Sequence, residues 1–498
     1  MQGDATTHYE AACRAACAAD TETARRLFSS LSSSALELTR SQSMIGLGVS
    51  HAIEGDGRIA AQLLNESIEP STSAIARHNL RVLDSCKRPI RVAVVSLLFN
   101  WPSTGGGTVH SAETVRFLQC AGFETRHFYV QSEMLGVGRV DGLPNDLHFP
   151  IAISDKELSA DNVRKSVRSK LDGFTPDYVI ITDSWNCKPL LAEAAEGYPY
   201  FVRIAALECL CPLNNVRMLP GPTAGIVSCP KHQFGSPTAC KECVSTNRNL
   251  SGSLHSMERE LAGFDDSDYV DRLKKCFEDA DGVLVVNPLI REMVAPYSKA
   301  VHVVPSGFDA SRFPWPWPRS DDRGQDEPYR IFFAGLVSEY MKGFHVLQEA
   351  GELLSRRRSD FRIIATGDPA GLYNEFTEFV GWLSQDELPA AIRSADLLVF
   401  PTVAEEALGR SAVEAMAVGR PVVASRIGGL QTTVLDGATG LLFEPGNAAD
   451  LANKIERLLD DGDLRKRLGD MGRMRFEEHF TWEVIIDQFY RKLLTRPQ

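Results

Sequence analysis

The chain has 498 residues, more than one hydrophobic core can serve, so about three domains are expected. Its 44% hydrophobic and 24% charged residues are ordinary for a globular protein, and no apolar run approaches the roughly 20 residues that a membrane-spanning helix needs. A net charge of −12 argues against a nucleic-acid partner, because phosphate binding requires a basic face, but leaves room for a local basic patch at an anionic membrane.

Residues 1–88 read as helical and weakly repetitive. The first thirty are Ala-rich and mixed in charge, with no basic start followed by an apolar block. No secretory signal is read there, and the expected location is cytoplasmic, at most peripheral at the inner face of a membrane. Ala24, Leu27, Phe28 and Leu31 follow an apolar helix face, and Ala60, Leu63 and Leu64 repeat it 36 residues later, with Asp20 echoed by Asp56. The spacing resembles tetratricopeptide helix pairs, whose period is about 34, although two pairs are fewer than such arrays need. A plain helical bundle with chance periodicity fits equally well. Either would be an add-on packed on the next domain, with helices free to meet a protein partner.

At Arg88-Pro89 the texture changes to alternating strands and helices. Arg91–Leu98, Tyr178–Thr182, Tyr200–Ile204, Gly282–Val286 and Val301–Val304 are short runs rich in Val and Ile, the pattern of buried parallel strands. Pro and charge density from Phe313 to Pro328 marks a linker over 314–328. A second series follows with Arg330–Ala334, Phe361–Ala365, Leu397–Phe400, Val422–Ala424 and Gly440–Phe443. A last helix, Phe480–Leu494, would place Trp482, Ile485, Ile486 and Phe489 on one face. The expected fold is therefore α/β: a Rossmann-like domain over 89–313, a second over 329–475 and a terminal helical segment over 476–498. Ligands in such sheets bind at the carboxyl ends of the strands, so the cleft between the domains is the default site.

The most informative segment runs from Phe400 to Ser425. A strand ends at Pro401, a loop carries Glu406, and a helix begins near Gly409, Arg410 and Ser411 with Glu414 one turn inside. The free N–H groups and positive dipole of a helix start suit a diphosphate. Carboxylates repel phosphate, so Glu406 and Glu414 would take hydroxyls, those of a sugar and a ribose. Taken alone, Glu406 reads as an N-terminal cap and Glu414 as a solvated helix residue.

The two glutamates, the following Glu-Ala-Met-Ala-Val-Gly-Arg-Pro-Val-Val-Ala-Ser run, and Ile427-Gly-Gly-Leu leading to Thr439-Gly-Leu-Leu-Phe-Glu-Pro-Gly resemble retaining glycosyltransferases of family 4, whose fold is called GT-B. The resemblance covers about residues 90–495. Gly335-Leu-Val-Ser-Glu-Tyr-Met-Lys342-Gly343 resembles the loop that grips the donor diphosphate. Pro305-Ser-Gly-Phe-Asp309 resembles the turn that closes the first domain, and Gly381-Trp382-Leu383 resembles the loop beside the nucleobase. Gly105-Gly106-Gly107 resembles the first domain's glycine loop. The resemblance implies transfer of a sugar from a UDP- or GDP-sugar to a glycan, lipid-linked saccharide or other acceptor, with retention at the anomeric carbon and no metal at the donor. Lys342, the glycine-loop amides and the helix start would stabilise the departing diphosphate, Glu406 would orient the donor sugar and Glu414 would hold the ribose.

Two positions depart from the family pattern. Leu336 stands where an Arg is usual, and Ala205 where many members carry a His. Arg410 offers a replacement cation at the helix start, unless it points to solvent or pairs with Glu405 or Glu406. His110, after the glycine loop, reads as a structural helix-face histidine.

Five of the eleven cysteines crowd into 35 residues within an insertion at about 205–250. Cys211, Cys229, Cys240 and Cys243 end in a Cys-x-x-Cys knuckle in a loop with little apolar content, a pattern of structural zinc sites; an iron–sulfur cluster is the alternative. The site is expected to lie far from the chemistry. Two other functions compete with transfer: a nucleotide-sugar epimerase of the same fold, and a non-catalytic scaffold whose transferase domain has decayed.

Overall fold

In the computed structural model, the described residues are 88–495 apart from 104, 215, 221–225, 316–326, 370 and 372–373, together with 26, 28, 29, 44–47, 62 and 63. The chain divides into two compact units, Met1–Ile90 with Thr495–Gln498, and Arg91–Leu494. In the first unit the described positions between 26 and 63 are helical and Phe28 is buried. The expected repeat of helix pairs otherwise lies outside the described residues, as does most of the linker.

The second unit holds two parallel sheets. The first combines β1 (Arg91–Ser96), β2 (Glu124–Gln131), β3 (His148–Ala152), β4 (Tyr178–Thr182), β5 (Tyr200–Ile204), β8 (Gly282–Val285) and β9 (Val301–Val303) in the order β3-β2-β1-β4-β5-β8-β9. Between β5 and β8 a small antiparallel hairpin, β6 (Met218–Pro220) and β7 (Ile226–Ser228), stands apart. The second sheet has the order β12-β11-β10-β13-β14-β15. Its strands are β10 (Tyr329–Phe333), β11 (Phe361–Ala365), β12 (Thr377–Phe379), β13 (Leu397–Phe400), β14 (Val422–Ser425) and β15 (Gly440–Phe443). The central strands are buried from end to end because helices cover both faces, which is why they read as unbroken Val/Ile/Leu runs. Order reverses beside β1 in one sheet and β10 in the other. Loops on either side of these switch points splay apart and open crevices at the carboxyl ends.

The two halves are bound by more than the linker. After helix Gly462–His479 the chain returns to the first half, where the Trp482 indole donates to Glu113 Oε2 at 3.1 Å and stacks on His110 and Phe117. The terminal helix departs from its expected face. A π turn over Ile486–Tyr490 inserts an extra residue, so Tyr490 is buried in place of Phe489. Among the described residues, no helix is long and apolar enough to cross a membrane.

Candidate functional site

A cleft of about 490 Å³ opens between the carboxyl ends of the two sheets. All ten non-cysteine positions singled out from the sequence line it. Gly106 and Gly107 come from the start of α1 (Gly106–Cys120), Gly335 and Lys342 from the loop after β10, and Leu383 from the loop after β12. Glu406, Gly409, Arg410, Ser411 and Glu414 come from the loop after β13 and from α3 (Arg410–Ala417); α2 (Phe344–Ser355) follows the Lys342 loop. Leu336 and Ala205, the two departures from the family pattern, line the same cleft.

The α3 start is built to keep its amides free. Gly409 holds a left-handed φ of 80°, and no side chain caps the helix. A Cβ at Gly409 would come within 2.4 Å of Leu430 Cδ2, so glycine is required for both conformation and space. Glu406 is not the cap that its position suggested. Its Oε1 accepts from Lys342 Nζ at 2.8 Å. Burial pulls the Lys342 pKa down, but the charge and hydrogen bond of Glu406 outweigh it and leave the ammonium raised. The lysine loop is pinned from behind: Met341 O accepts from Thr402 Oγ1 at 2.8 Å and from the Val403 amide at 3.0 Å. A Cβ on Gly343 would fall 1.8 Å from the Pro401 carbonyl, so only glycine permits that approach.

Glu414 is also not the solvated residue that a helix position implies. It is 2% exposed, and burial raises its pKa against the opposing pull of Arg410 and Arg312. Arg410 neither turns to solvent nor reaches Glu405 or Glu406. It leans across the cleft, with its Cζ 4.3 Å from the Phe308 ring centroid and Nη2 3.8 Å from Glu113 Oε2, an ion-pair distance too long for a hydrogen bond. A Cβ at Gly106 would meet Arg410 Cδ at 2.7 Å. Both Nη atoms are shut from solvent and have no hydrogen-bond partner among the described residues. His110 is buried, stacks on Trp482 and stays out of the cleft lining, as a structural histidine would.

Sequence reasoning missed Asp183. It follows β4 directly, at a left-handed φ of 38°, with Oδ1 3.4 Å from where a Gly107 Cβ would stand. Oδ2 is buried without a partner. Burial pushes its carboxyl up to about 7, against the hydrogen bond from Ser111 and the charge of Lys188, while Glu208 adds to the rise. The only sequence signal was an acidic residue directly after an apolar strand. A folded pKa above the unfolded value stabilises fully below about pH 4 and less as pH rises through 7. Asp183→Asn should therefore gain on the wild type with pH, by up to about 4 kcal/mol between pH 4 and 8 in urea unfolding. A gap that did not change with pH would show that this group does not titrate there.

The four cysteines of the expected metal set converge loosely. Cys240 and Cys243 share the helix Pro237–Thr246, and Cys229 follows β7. Burial raises the pKa of both Cys211 and Cys240; the neighbouring thiols add to the rise, and backbone hydrogen bonds from Asn214 and Leu213 oppose it at Cys211. Among the described residues, no three His, Cys, Asp or Glu side chains are drawn together tightly enough to hold an ion. The insertion is also not remote from the cleft. Val216 lines it, and Arg217 Nη1 donates to Glu405 Oε2 at 3.1 Å.

Residues 328–461 match the family model described as glycosyl transferases group 1. The chain is 32% identical over 247 residues to glycogen synthase of Mycobacterium tuberculosis, a stretch covering 47% of this chain and 56% of that protein. It is 40% identical over 143 residues to 2-deoxystreptamine glucosyltransferase of Streptomyces kanamyceticus, covering 26% and 36% respectively. The chain thus spans about half the length, or less, of these relatives. Among solved structures it resembles sucrose-phosphate synthase from Thermosynechococcus elongatus, with TM-score 0.56, 20% identity, and 81% of this chain and 99% of that chain covered. It also resembles Anabaena Alr3699/HepE in complex with UDP-glucose, with TM-score 0.55, 16% identity and the same two coverages, 81% and 99%. At such identities the likeness speaks for the fold alone. Residues 328–461 thus match the glycosyl transferases group 1 model, in a chain with the GT-B fold.

Proposed function

We propose that the chain moves a sugar from a nucleoside-diphosphate sugar, a UDP- or GDP-sugar, to a hydroxylated acceptor such as a glycan or lipid-linked saccharide, with retention of anomeric configuration. One observation carries the reading: an uncapped helix start with two cations facing it, Lys342 and Arg410, and a carboxylate on either side, Glu406 and Glu414. The diphosphate lies over the Arg410 and Ser411 amides, where the helix dipole favours negative charge. Glu414 takes the ribose hydroxyls, and Leu383 lies beside the base. Glu406 takes hydroxyls of the donor sugar, which Gly106 and Gly107 let approach.

As the bond from anomeric carbon to phosphate oxygen breaks, positive charge grows on the sugar and negative charge on the leaving diphosphate. Lys342 shifts from Glu406 toward that diphosphate, and Arg410 spends its free N–H groups there. The acceptor hydroxyl attacks from the leaving-group face and gives its proton to the departing phosphate oxygen, which preserves configuration. In support, the solved structures of Alr3699/HepE hold UDP, UDP-glucose or UDP with glucose. A panel of nucleotide sugars read by thermal shift tests the reading, since a ligand at 100 times its Kd adds about 2.7 kcal/mol. A panel in which no nucleoside diphosphate or its sugar stabilises the protein would reject it.

We also infer from the Cys-x-x-Cys spacing that Cys211, Cys229, Cys240 and Cys243 take up one structural zinc, whose binding would order a segment poor in apolar side chains. They do not stand at ligating distance, so no step of the reaction is routed through a metal. Protein purified without added metal should contain about one zinc per chain. Metal-free protein, or iron with visible absorbance, would discard the zinc assignment.

A further inference from the structure

The hairpin β6–β7 belongs to the first half of the unit, yet one of its side chains ends in the second. Arg217, at a left-handed φ of 54°, leads into β6 with its side chain only 4% exposed. The hairpin base fixes it: the Cys229 amide donates to the Arg217 carbonyl at 2.6 Å, and Arg217 Nη2 donates to the Cys229 carbonyl at 2.6 Å. From that anchor Nη1 reaches Glu405 Oε2 at 3.1 Å, a residue 188 positions later in sequence and next to Glu406.

The Glu406 loop is otherwise held from its own domain and by one further tie across the cleft, in which Asn287 Nδ2 donates to the Ala407 carbonyl at 2.7 Å. The Gly429 amide donates to the Glu406 carbonyl at 2.6 Å, and a Cβ on Gly428 would lie 2.6 Å from that same oxygen, so the two segments are in backbone contact. The Glu406 carboxylate is drawn toward Lys342. The tie from Arg217 comes, like that of Asn287, from the opposite wall of the cleft, but it is an ion pair to the side chain beside Glu406 where Asn287 bonds to backbone.

We propose that Arg217 is a positioning residue: acting through Glu405, it fixes the loop that presents Glu406 to the donor sugar, so the Cys-rich insertion serves as an arm that sets the reacting geometry. This rests on the reading of Glu406 given above. The tie spans both walls of the cleft, so any opening of the two halves loosens the loop, and their closure restores it. A misplacement of about 1 Å at a reacting group costs on the order of 100-fold in rate, whereas nucleotide held by Glu414 and the α3 amides is left alone. A second cavity of about 390 Å³ lies against the same wall and is lined by Arg217, His232, Glu405 and Glu406 among others. The competing role for Arg217 is therefore direct contact with an acceptor in that cavity.

A double-mutant cycle on the full chain separates these roles, using Arg217→Gln, Glu405→Gln and the double variant. The Kd for UDP is read by calorimetry, the turnover of UDP-glucose by release of UDP, and amide hydrogen exchange over residues 404–408 by mass spectrometry. Each single variant is expected to lose about tenfold or more in kcat with the Kd for UDP kept, and the double to lose no more than either single. Exchange over 404–408 should quicken in Arg217→Gln. Arg217→Lys, which keeps the charge toward Glu405 but not the second bond, should recover part of both losses and guards against misfolding. Additive losses would place Arg217 on a ligand and overturn the proposal, as would unchanged kcat with unchanged exchange. If wild-type protein neither binds UDP nor consumes UDP-glucose, the functional reading fails, while the exchange arm still decides whether Arg217 fixes the loop.

Discussion

Glu406→Gln should lower turnover by about 10²–10³-fold while leaving the Kd for UDP within a few-fold of wild type. The carboxylate sits in the loop ahead of α3, where its partner is Lys342 at 2.8 Å. Before donor binds, each neutralises the other, and neither is spent on the fold, since both side chains keep partial access to the cleft. On the proposed reading, the lysine turns to phosphate and the carboxylate to sugar hydroxyls when donor arrives. Removing the carboxylate charge leaves Lys342 free for phosphate, so nucleotide affinity holds or rises slightly, whereas the sugar loses the group that orients it. Glu414→Ala should show the opposite pattern, with weaker UDP binding, because Glu414, buried inside α3, is the residue proposed to hold the ribose. Calorimetry with UDP and initial rates on the true donor read both effects. Two variants with wild-type rates and affinities would mean that the cleft is not the site.

The second large effect is expected at Arg410. Arg410→Leu should lower donor turnover by about 100-fold, and adding Leu336→Arg should return a substantial part of it. Arg410, at the start of α3, and Leu336, in the loop after β10, line the same cleft, and on the proposed reading a guanidinium at either would serve the same phosphate. In the protein as it stands the Arg410 guanidinium rests over Phe308 with Glu113 beyond hydrogen-bond distance, and its Nη atoms have no hydrogen-bond partner among the described residues. Buried, unpaired donors on a cation are costly, and a diphosphate would satisfy two of them at once. Gly106→Ala offers an independent lever, since its new methyl group would push the Arg410 chain aside. A fully active Arg410→Leu variant, or a double variant no better than the single, would show that the cation has not moved to the helix start.

Sequence alone revealed what is local in origin. Runs such as Val-Ile-Ile at β4 and Val-Val-Ala at β14 are strands because both faces are covered, and the glycines at 343 and 409 mark backbone that no other residue could follow. The strands that escaped notice break the apolar pattern. β2 reads Glu-Thr-Arg-His-Phe-Tyr-Val-Gln, and its buried His127 is satisfied by Ser96 and His148, partners that no periodicity reveals. β12 has three residues only. At the site, spacing along one loop and helix pointed to Glu406 and Glu414 together. Their surroundings were hidden because the contacts are long-range: Lys342 lies 64 residues from Glu406, and Arg217 lies 188 from Glu405. The reach of the cysteine insertion to the cleft was hidden for the same reason. Val216 lines the cleft and Arg217 reaches Glu405, and nothing in the insertion's own composition says where it lands.

The most direct test of the central assignment is a crystal structure with UDP bound. The diphosphate oxygens are expected within hydrogen-bond distance of the Arg410 and Ser411 amides and of Lys342 Nζ, with the ribose hydroxyls on the Glu414 carboxylate. UDP seated away from α3, or in the cleft with its ribose turned from Glu414, would contradict that assignment.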